Sequence, residues 1–234
     1  YLAKDTASDP SKWRYPDSSR YHAPQMAMIL IENGTGAIRA MVGGNSFAES
    51  RWNRAVQSLR QPGSSFKPIV YAAAVEAGAS PCDSINDQPV TIEDEGDPSK
   101  TWRPANFEKE FEGMMTMRRA LYRSMNLPAV LTGIKYGLSN VVDYARKFGI
   151  KKAPLQPVPS LALGSIGSTL MEMTSAYTVF PNGGVRIEPY MIDSIVDKSG
   201  NVIERHKSEE KTVLKPASAY IMVDMLKDVN IHGT

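Results

Sequence analysis

A serine hydroxyl and a lysine amine stand three residues apart in Pro62-Gly63-Ser64-Ser65-Phe66-Lys67-Pro68. Residues at i and i+3 of a helix share a face, so the Lys67 amine can approach Ser64 Oγ and take its proton as that oxygen attacks a carbonyl carbon. The product of such chemistry is an acylated serine. The spacing alone is common, and a second copy occurs at Ser208-Glu209-Glu210-Lys211. That copy lies in a charged stretch with no apolar run beside it and reads as solvated surface. Ser64 has a different context. It follows Pro62-Gly63, a turn signal, and precedes the apolar run Ile69–Val75, which ends before Gly78. A serine at the start of a buried helix feels the positive end of that helix, which stabilises negative charge developing in an attack. The plainer alternative is that Ser64 is only an N-cap and Lys67 only a surface charge.

Acyl transfer needs more than a nucleophile, because the lysine must be neutral to act as base and the leaving group must receive a proton. Ser124-Met125-Asn126, between the end of one predicted helix and the Pro128 start of the next, offers a hydroxyl and an amide two residues apart in a turn. Ser84-Ile85-Asn86 has the same spelling but sits among Pro and Asp residues that read as a loop. Spelling does not choose between them.

The elements that must position these groups are predicted as follows. Residues 1–22 are polar, with Pro10 and Pro16, and read as a linker entering a domain over 23–234. Met26–Glu32 and Ala37–Val42 flank Asn33-Gly34-Thr35-Gly36, a strong hairpin signal. Residues 79–113 hold few aliphatics and read as long loops with one short strand at most. Helices are predicted over 116–123, 128–136 and 139–148, with Gly149 as a cap. Thr169-Leu170-Met171-Glu172 fits a capping box, a hairpin surrounds Lys198-Ser199-Gly200-Asn201, and a last helix opens at Pro216. The pattern is α+β, mostly helical with few strands.

Composition narrows the function classes. A net charge of +2, evenly spread, gives no footprint for nucleic acid, and no membrane surface is indicated. The single Cys82 cannot form an internal disulfide, and His22, His206 and His232 are too scattered for a metal site. No cofactor motif is present. No run reaches the ~20 apolar residues of a membrane span, and the chain opens Tyr-Leu-Ala-Lys without a signal pattern, as a piece of a longer protein would.

The stretches Gly36–Gly44, Asn53-Arg54-Ala55 and Arg60–Pro68 resemble the transpeptidase domain of class A penicillin-binding proteins. So do Trp102-Arg103-Pro104-Ala105-Asn106, Arg119-Ala120, Ser124–Pro128, Leu161–Ser165, Ala176-Tyr177 and Asn182-Gly183-Gly184, all in the family's order. The resemblance implies the penicillin-binding protein and serine β-lactamase-like fold, a helical subdomain with an antiparallel sheet that is incomplete in this chain. It implies a D,D-transpeptidase that cross-links peptidoglycan stem peptides and is acylated by β-lactam antibiotics. Ser64 would be the nucleophile, Lys67 the general base, Ser124 a proton relay and Asn126 a hydrogen-bond partner of the donor peptide. Trp102 and Asn106 would line the cleft, although Trp102 reads almost as well as packing. The family's lysine-threonine-glycine motif does not occur, and His232-Gly233-Thr234 resembles the segment just before it. A second polypeptide or further residues are therefore expected to complete the sheet. By resemblance the parent protein would carry an upstream glycosyltransferase domain and a membrane anchor, and would work in the cell envelope. The alternatives are a D,D-carboxypeptidase or β-lactamase on the same fold, and a non-catalytic β-lactam sensor or scaffold.

Overall fold

The computed structural model describes residues 24–94, 97–107 and 110–233, so the linker predicted over 1–22 lies outside the described residues. The first hairpin forms as predicted. Strand β1 (Met28–Ile31) pairs antiparallel with β2 (Ile38–Val42), in register from Met28 opposite Val42 to Ile31 opposite Ile38. Gly34 and Gly36 take φ of +82° and +76° in the connecting turn, a region that residues with a Cβ enter only at a cost. After the short α1 (Arg54–Gln57), a single 3-10 turn, Gly63–Phe66, runs straight into α2 (Lys67–Glu76).

Helix α2 is the centre of the molecule. Every residue from Lys67 to Val75 is buried, as is usual for a helix that is apolar on all sides. Full burial of Ile69, Val70 and Tyr71 contributes roughly 1.5–3 kcal/mol each relative to exposure. The turn carrying Ser64 is thus fused to a fully buried element of the core.

Residues 79–113 depart from the loop reading. They contain β3 (Ser84–Asp87), β4 (Ile92–Asp94) and β5 (Asp97–Trp102), and end at the start of β6 (Gly113–Thr116). Strand β3 pairs antiparallel with β6, Ser84 opposite Thr116, across about 30 residues of chain, so no local periodicity announces it. Ser84-Ile85-Asn86 is therefore a strand segment and no turn.

The helices follow the sequence closely. They are α3 (Met117–Tyr122), α4 (Asn126–Tyr136) and α5 (Leu138–Lys147). Helix α4 opens two residues before the predicted Pro128, because a proline in the first helical turn forfeits only an N–H that has no partner there. After a second 3-10 turn, Pro159–Leu163, comes α6 (Leu170–Thr178). Its capping box is complete: Glu172 N–H donates to Thr169 Oγ1 at 3.2 Å and Thr169 N–H to Glu172 Oε2 at 2.9 Å. Strand β7 (Val185–Ile187) is followed by the predicted hairpin of β8 (Ser194–Val196) and β9 (Val202–Arg205). Strand β10 (Glu210–Thr212) returns to pair with β7, which the sequence did not announce, and α7 (Pro216–His232) packs against α2 and α3. Lys211 of the second Ser-x-x-Lys pattern lies exposed in β10, as predicted for a solvated stretch. The described strands make two-stranded sheets only, and no sheet closes. Among the described residues no helix is long and apolar enough to cross a membrane.

Candidate active site

Ser64 is exposed on its 3-10 turn while Phe66 and Lys67 are buried, so the turn holds the hydroxyl at the surface and drives the amine inward. The turn is braced by the segment after the second 3-10 turn. Arg60 and Ser168 exchange backbone hydrogen bonds of 2.9 Å, and Gly63 N–H donates to Gly164 O at 3.4 Å. At Gly164, φ is +68°, and a Cβ there would stand 2.3 Å from Gly63 O. Only glycine lets the two backbones approach this closely. This assigns a physical reason to Leu161–Ser165, which the sequence marked only by resemblance.

Lys67 has 1% of its surface exposed, and its amine points away from bulk water. Nζ donates to Ser124 O, to Ser124 Oγ at 3.2 Å and to Asn126 Oδ1 at 2.8 Å. All three acceptors are neutral. With no carboxylate among its partners to hold the proton, burial dominates and lowers the Lys67 pKa to about 8. The sequence brought Lys67 to Ser64 by helical spacing; the structure puts both on one cavity, with the amine bonded to Ser124 and Asn126 and not to Ser64 Oγ.

Ser124 is placed by a strained helix end. Its N–H donates to Leu121 O and that of Met125 to Ala120 O, the paired bonds of a Schellman cap on α3. The residue at that cap takes the left-handed conformation, and Ser124 does so with φ +52°, alone in positive φ among the described non-glycine residues. Asn126 then opens α4. Met125 at the N-cap has no side-chain acceptor, and Asn106 supplies one from outside: its Oδ1 accepts from Asn126 N–H at 3.1 Å and Leu127 N–H at 3.3 Å. Asn106 Nδ2 is committed to the carboxylate of buried Asp87 at 2.8 and 3.0 Å and to Glu110 O, which fixes which way the amide faces.

Of the six residues singled out from the sequence, Ser64, Lys67, Ser124 and Asn126 come together. Asn106 is 4% exposed and stands behind the turn, absent from the cavity wall. Trp102 packs on the hydrophobic core and also does not line that cavity. Asn106 supports the Ser124–Asn126 turn from behind through the Asn126 and Leu127 N–H groups. Two contributors were missed. Asp87 orients Asn106 from a strand that looked like loop. Tyr177 of α6 donates its hydroxyl to Ser65 O at 2.7 Å and lines the cavity; burial pushes it up to about 12, so it remains a donor. Its only sequence signal was its place in the resembling stretch.

The cavity measures about 500 Å³ and takes its walls from Ser64, Lys67, Ser124, Tyr177 and the α7 residues Val229 and Asn230. Among the described residues no Asp or Glu lines it. A nucleophile, a buried amine of lowered pKa and a hydroxyl bonded to that amine therefore share one concave site, the arrangement that acyl transfer to serine requires.

Comparison with known proteins identifies the family. Penicillin-binding protein 1A of Neisseria lactamica is 36% identical over 215 residues, covering 90% of this chain and 27% of its own length. That of Rickettsia felis is 41% identical over 184 residues, covering 79% of this chain and 23% of its own. The chain thus spans about a quarter of these relatives. The crystal structure of penicillin-binding protein 1A from Haemophilus influenzae superposes with a TM-score of 0.81 at 30% identity, over 88% of this chain and 35% of that one. The family model described as the penicillin binding protein transpeptidase domain matches residues 26–234, and this chain belongs to that family.

Proposed function

We propose that this chain carries the nucleophilic side of a peptidoglycan D,D-transpeptidase, and that β-lactams acylate it at Ser64. The observation that supports this most is the buried Lys67 amine, whose hydrogen-bond acceptors are all uncharged. At pH 7 a pKa of about 8 leaves roughly one lysine in ten neutral, against about one in three thousand at the ordinary value of 10.5. Burial thus multiplies the available base by roughly 300.

In the acylation step Ser64 Oγ bonds to the carbonyl carbon of the penultimate D-alanine and gives its proton to Lys67 Nζ. The oxygen of the tetrahedral intermediate takes the charge, and the Ser64 N–H, at the free start of its turn, is one oxyanion donor. Ser124 Oγ, 3.2 Å from Nζ, passes a proton to the departing amine as the C–N bond breaks. The acceptor amine then reverses the sequence. Asn126 holds Lys67 through Oδ1 and the chain through Nδ2, which donates to Ala105 O at 2.9 Å.

Among the described residues the cavity wall offers no carboxylate to activate water, which supports transfer over hydrolysis by that route. The stem peptides, the upstream glycosyltransferase domain, the strand completing the cleft and the cell-envelope location belong to the same reading, through the relatives named above. The test uses the intact protein that carries this chain and a fluorescent penicillin. One covalent adduct is expected, absent in Ser64→Ala; an adduct that survives Ser64→Ala, or none at all, overturns the assignment.

A further inference from the structure

Ser64 Oγ makes no hydrogen bond among the described residues, and Lys67 Nζ is turned to Ser124 and Asn126. The hydroxyl therefore stands wherever the backbone beneath it is held. Packing does not hold that backbone, because Ser64 and Ser65 are both exposed and burial resumes only at Phe66. Ser65 Oγ donates to Pro62 O at 2.6 Å, a bond inside the turn that ties it to no other element.

Two bonds from distant parts of the chain reach the residues on either side of Ser64. Upstream, Gly63 N–H donates to Gly164 O at 3.4 Å, which is long for N–H···O. Gly63 itself has φ +57° and no side chain to limit its torsions, so this side of Ser64 is a swivel. Downstream, the Tyr177 hydroxyl donates to Ser65 O at 2.7 Å, the usual length for O–H···O. The firmer tether is thus the one from α6.

Tyr177 is well placed to anchor it. Its ring meets Phe180 edge-on, with centroids 5.8 Å apart at 89°, and Phe180 packs on Phe148 at 5.4 Å; both phenylalanines are buried. The tyrosine hydroxyl, pushed up to about 12 by burial, keeps its proton through the range in which Lys67 titrates, so the bond to Ser65 O persists there. The amine has other supports. All its acceptors lie at the α3–α4 junction and none on α6.

We propose that Tyr177 is a positioning residue for the nucleophile: by holding Ser65 O to α6, it sets where Ser64 Oγ stands relative to Lys67 Nζ. Tyr177 transfers no proton in this role. The proton still passes from Oγ to Nζ, and the tyrosine keeps the two atoms within reach as the bond to the carbonyl carbon forms. The role rests on the transpeptidase reading, in which Ser64 is the acylated nucleophile. It divides the work between two supports, the α3–α4 junction for the base and α6 for the nucleophile.

Tyr177→Phe tests it, since the ring and its packing stay and only the hydroxyl goes. Stopped-flow acylation of the intact protein by a penicillin and by a cephalosporin, across the pH range in which Lys67 titrates, separates the Kd of the unreacted complex from the acylation rate constant. That rate constant should fall about tenfold, by the same factor with both antibiotics. Kd and the midpoint near pH 8 should not move. Lost folding alone would lower the fraction of molecules labelled and leave the rate of the labelled ones unchanged. An unchanged rate constant means that the turn needs no tether. A loss that differs between the antibiotics, or that appears in Kd, means that Tyr177 acts by touching the ligand, and a midpoint moved upward means that it acts by sealing Lys67 from water. Each of these results overturns the proposal. The transpeptidase reading fails separately, on an adduct that survives Ser64→Ala.

Discussion

Ser124 occupies a backbone position where glycine is the ordinary residue. A Cβ in left-handed conformation costs about 1–2 kcal/mol, and here the hydroxyl on that Cβ is what meets Lys67 Nζ. On the proposed reading of Ser124 as a proton relay, stability is given up for that path. Two variants separate the contributions: Ser124→Ala and Ser124→Gly both lose the hydroxyl, and only the second relieves the strain. Denaturant titration should find Ser124→Gly more stable than Ser124→Ala by about 1 kcal/mol, with penicillin acylation slowed about 10²–10³-fold in both. Equal stabilities would mean that Ser124 stores no strain. Lys67 makes an analogous sacrifice. Its pKa is about 8 folded and ordinary, near 10.5, unfolded, so below pH 8 the folded state bears the whole cost of burying the charge. Between those values the unfolded chain binds more protons, and stability therefore rises with pH. Raising the pH from 7 to 9.5 should add on the order of 2 kcal/mol in the parent and much less in Lys67→Met. The acylation rate should climb about tenfold from pH 7 to a plateau above pH 8, following the neutral amine.

At the scale of elements, the decisive contact is the external cap on α4. Helix α4 begins where Met125 cannot cap it, and Asn106, backed by Asp87, substitutes for the missing acceptor. Asn106→Ala would leave two N–H groups and a buried carboxylate short of partners, at a cost of roughly 2–4 kcal/mol. Because Asn106 reaches Lys67 only by fixing Asn126, its kinetic effect should vanish in the right background. Asn106→Ala/Asn126→Ala is expected to acylate no more slowly than Asn126→Ala alone, whereas additive losses would mean a separate route. This cap also shows what a sequence discloses. Helices α3 to α7 follow local apolar spacing and caps that act over one turn, and the Ser124-Met125-Asn126 turn is marked by the helices on either side. Asp87 and Asn106 meet through the β3–β6 pairing, between segments some 25–30 residues apart, where no short-range pattern operates. The pairing of β7 with β10 and the Gly164–Gly63 approach were hidden for the same reason. Family motifs pointed at Asn106 and Gly164 without saying what they touch.

For the molecule as a whole, the helices that hold Ser64 and Lys67 are buried around α2, while the β1–β2 hairpin is covered on one face only. Ile29 and Ile31 face inward and β1 packs on α6, but Met28, Leu30 and Val42 on the other face are exposed. Met26 to Ile31 is a continuous apolar run, the pattern of a strand buried on both sides rather than of a solvated edge. A polypeptide of these 234 residues alone should therefore bind a hydrophobic dye, self-associate and acylate at Ser64 more slowly than the intact protein. Charges on the exposed face distinguish cover from solvent. In the isolated polypeptide Met28→Lys and Leu30→Lys should reduce self-association without loss of stability. In the intact protein the same changes should destabilise by about 3 kcal/mol or more, since each would bury an unpaired charge. If the intact protein tolerates both as ordinary surface substitutions, that face is solvated in the parent and its apolar run has another cause.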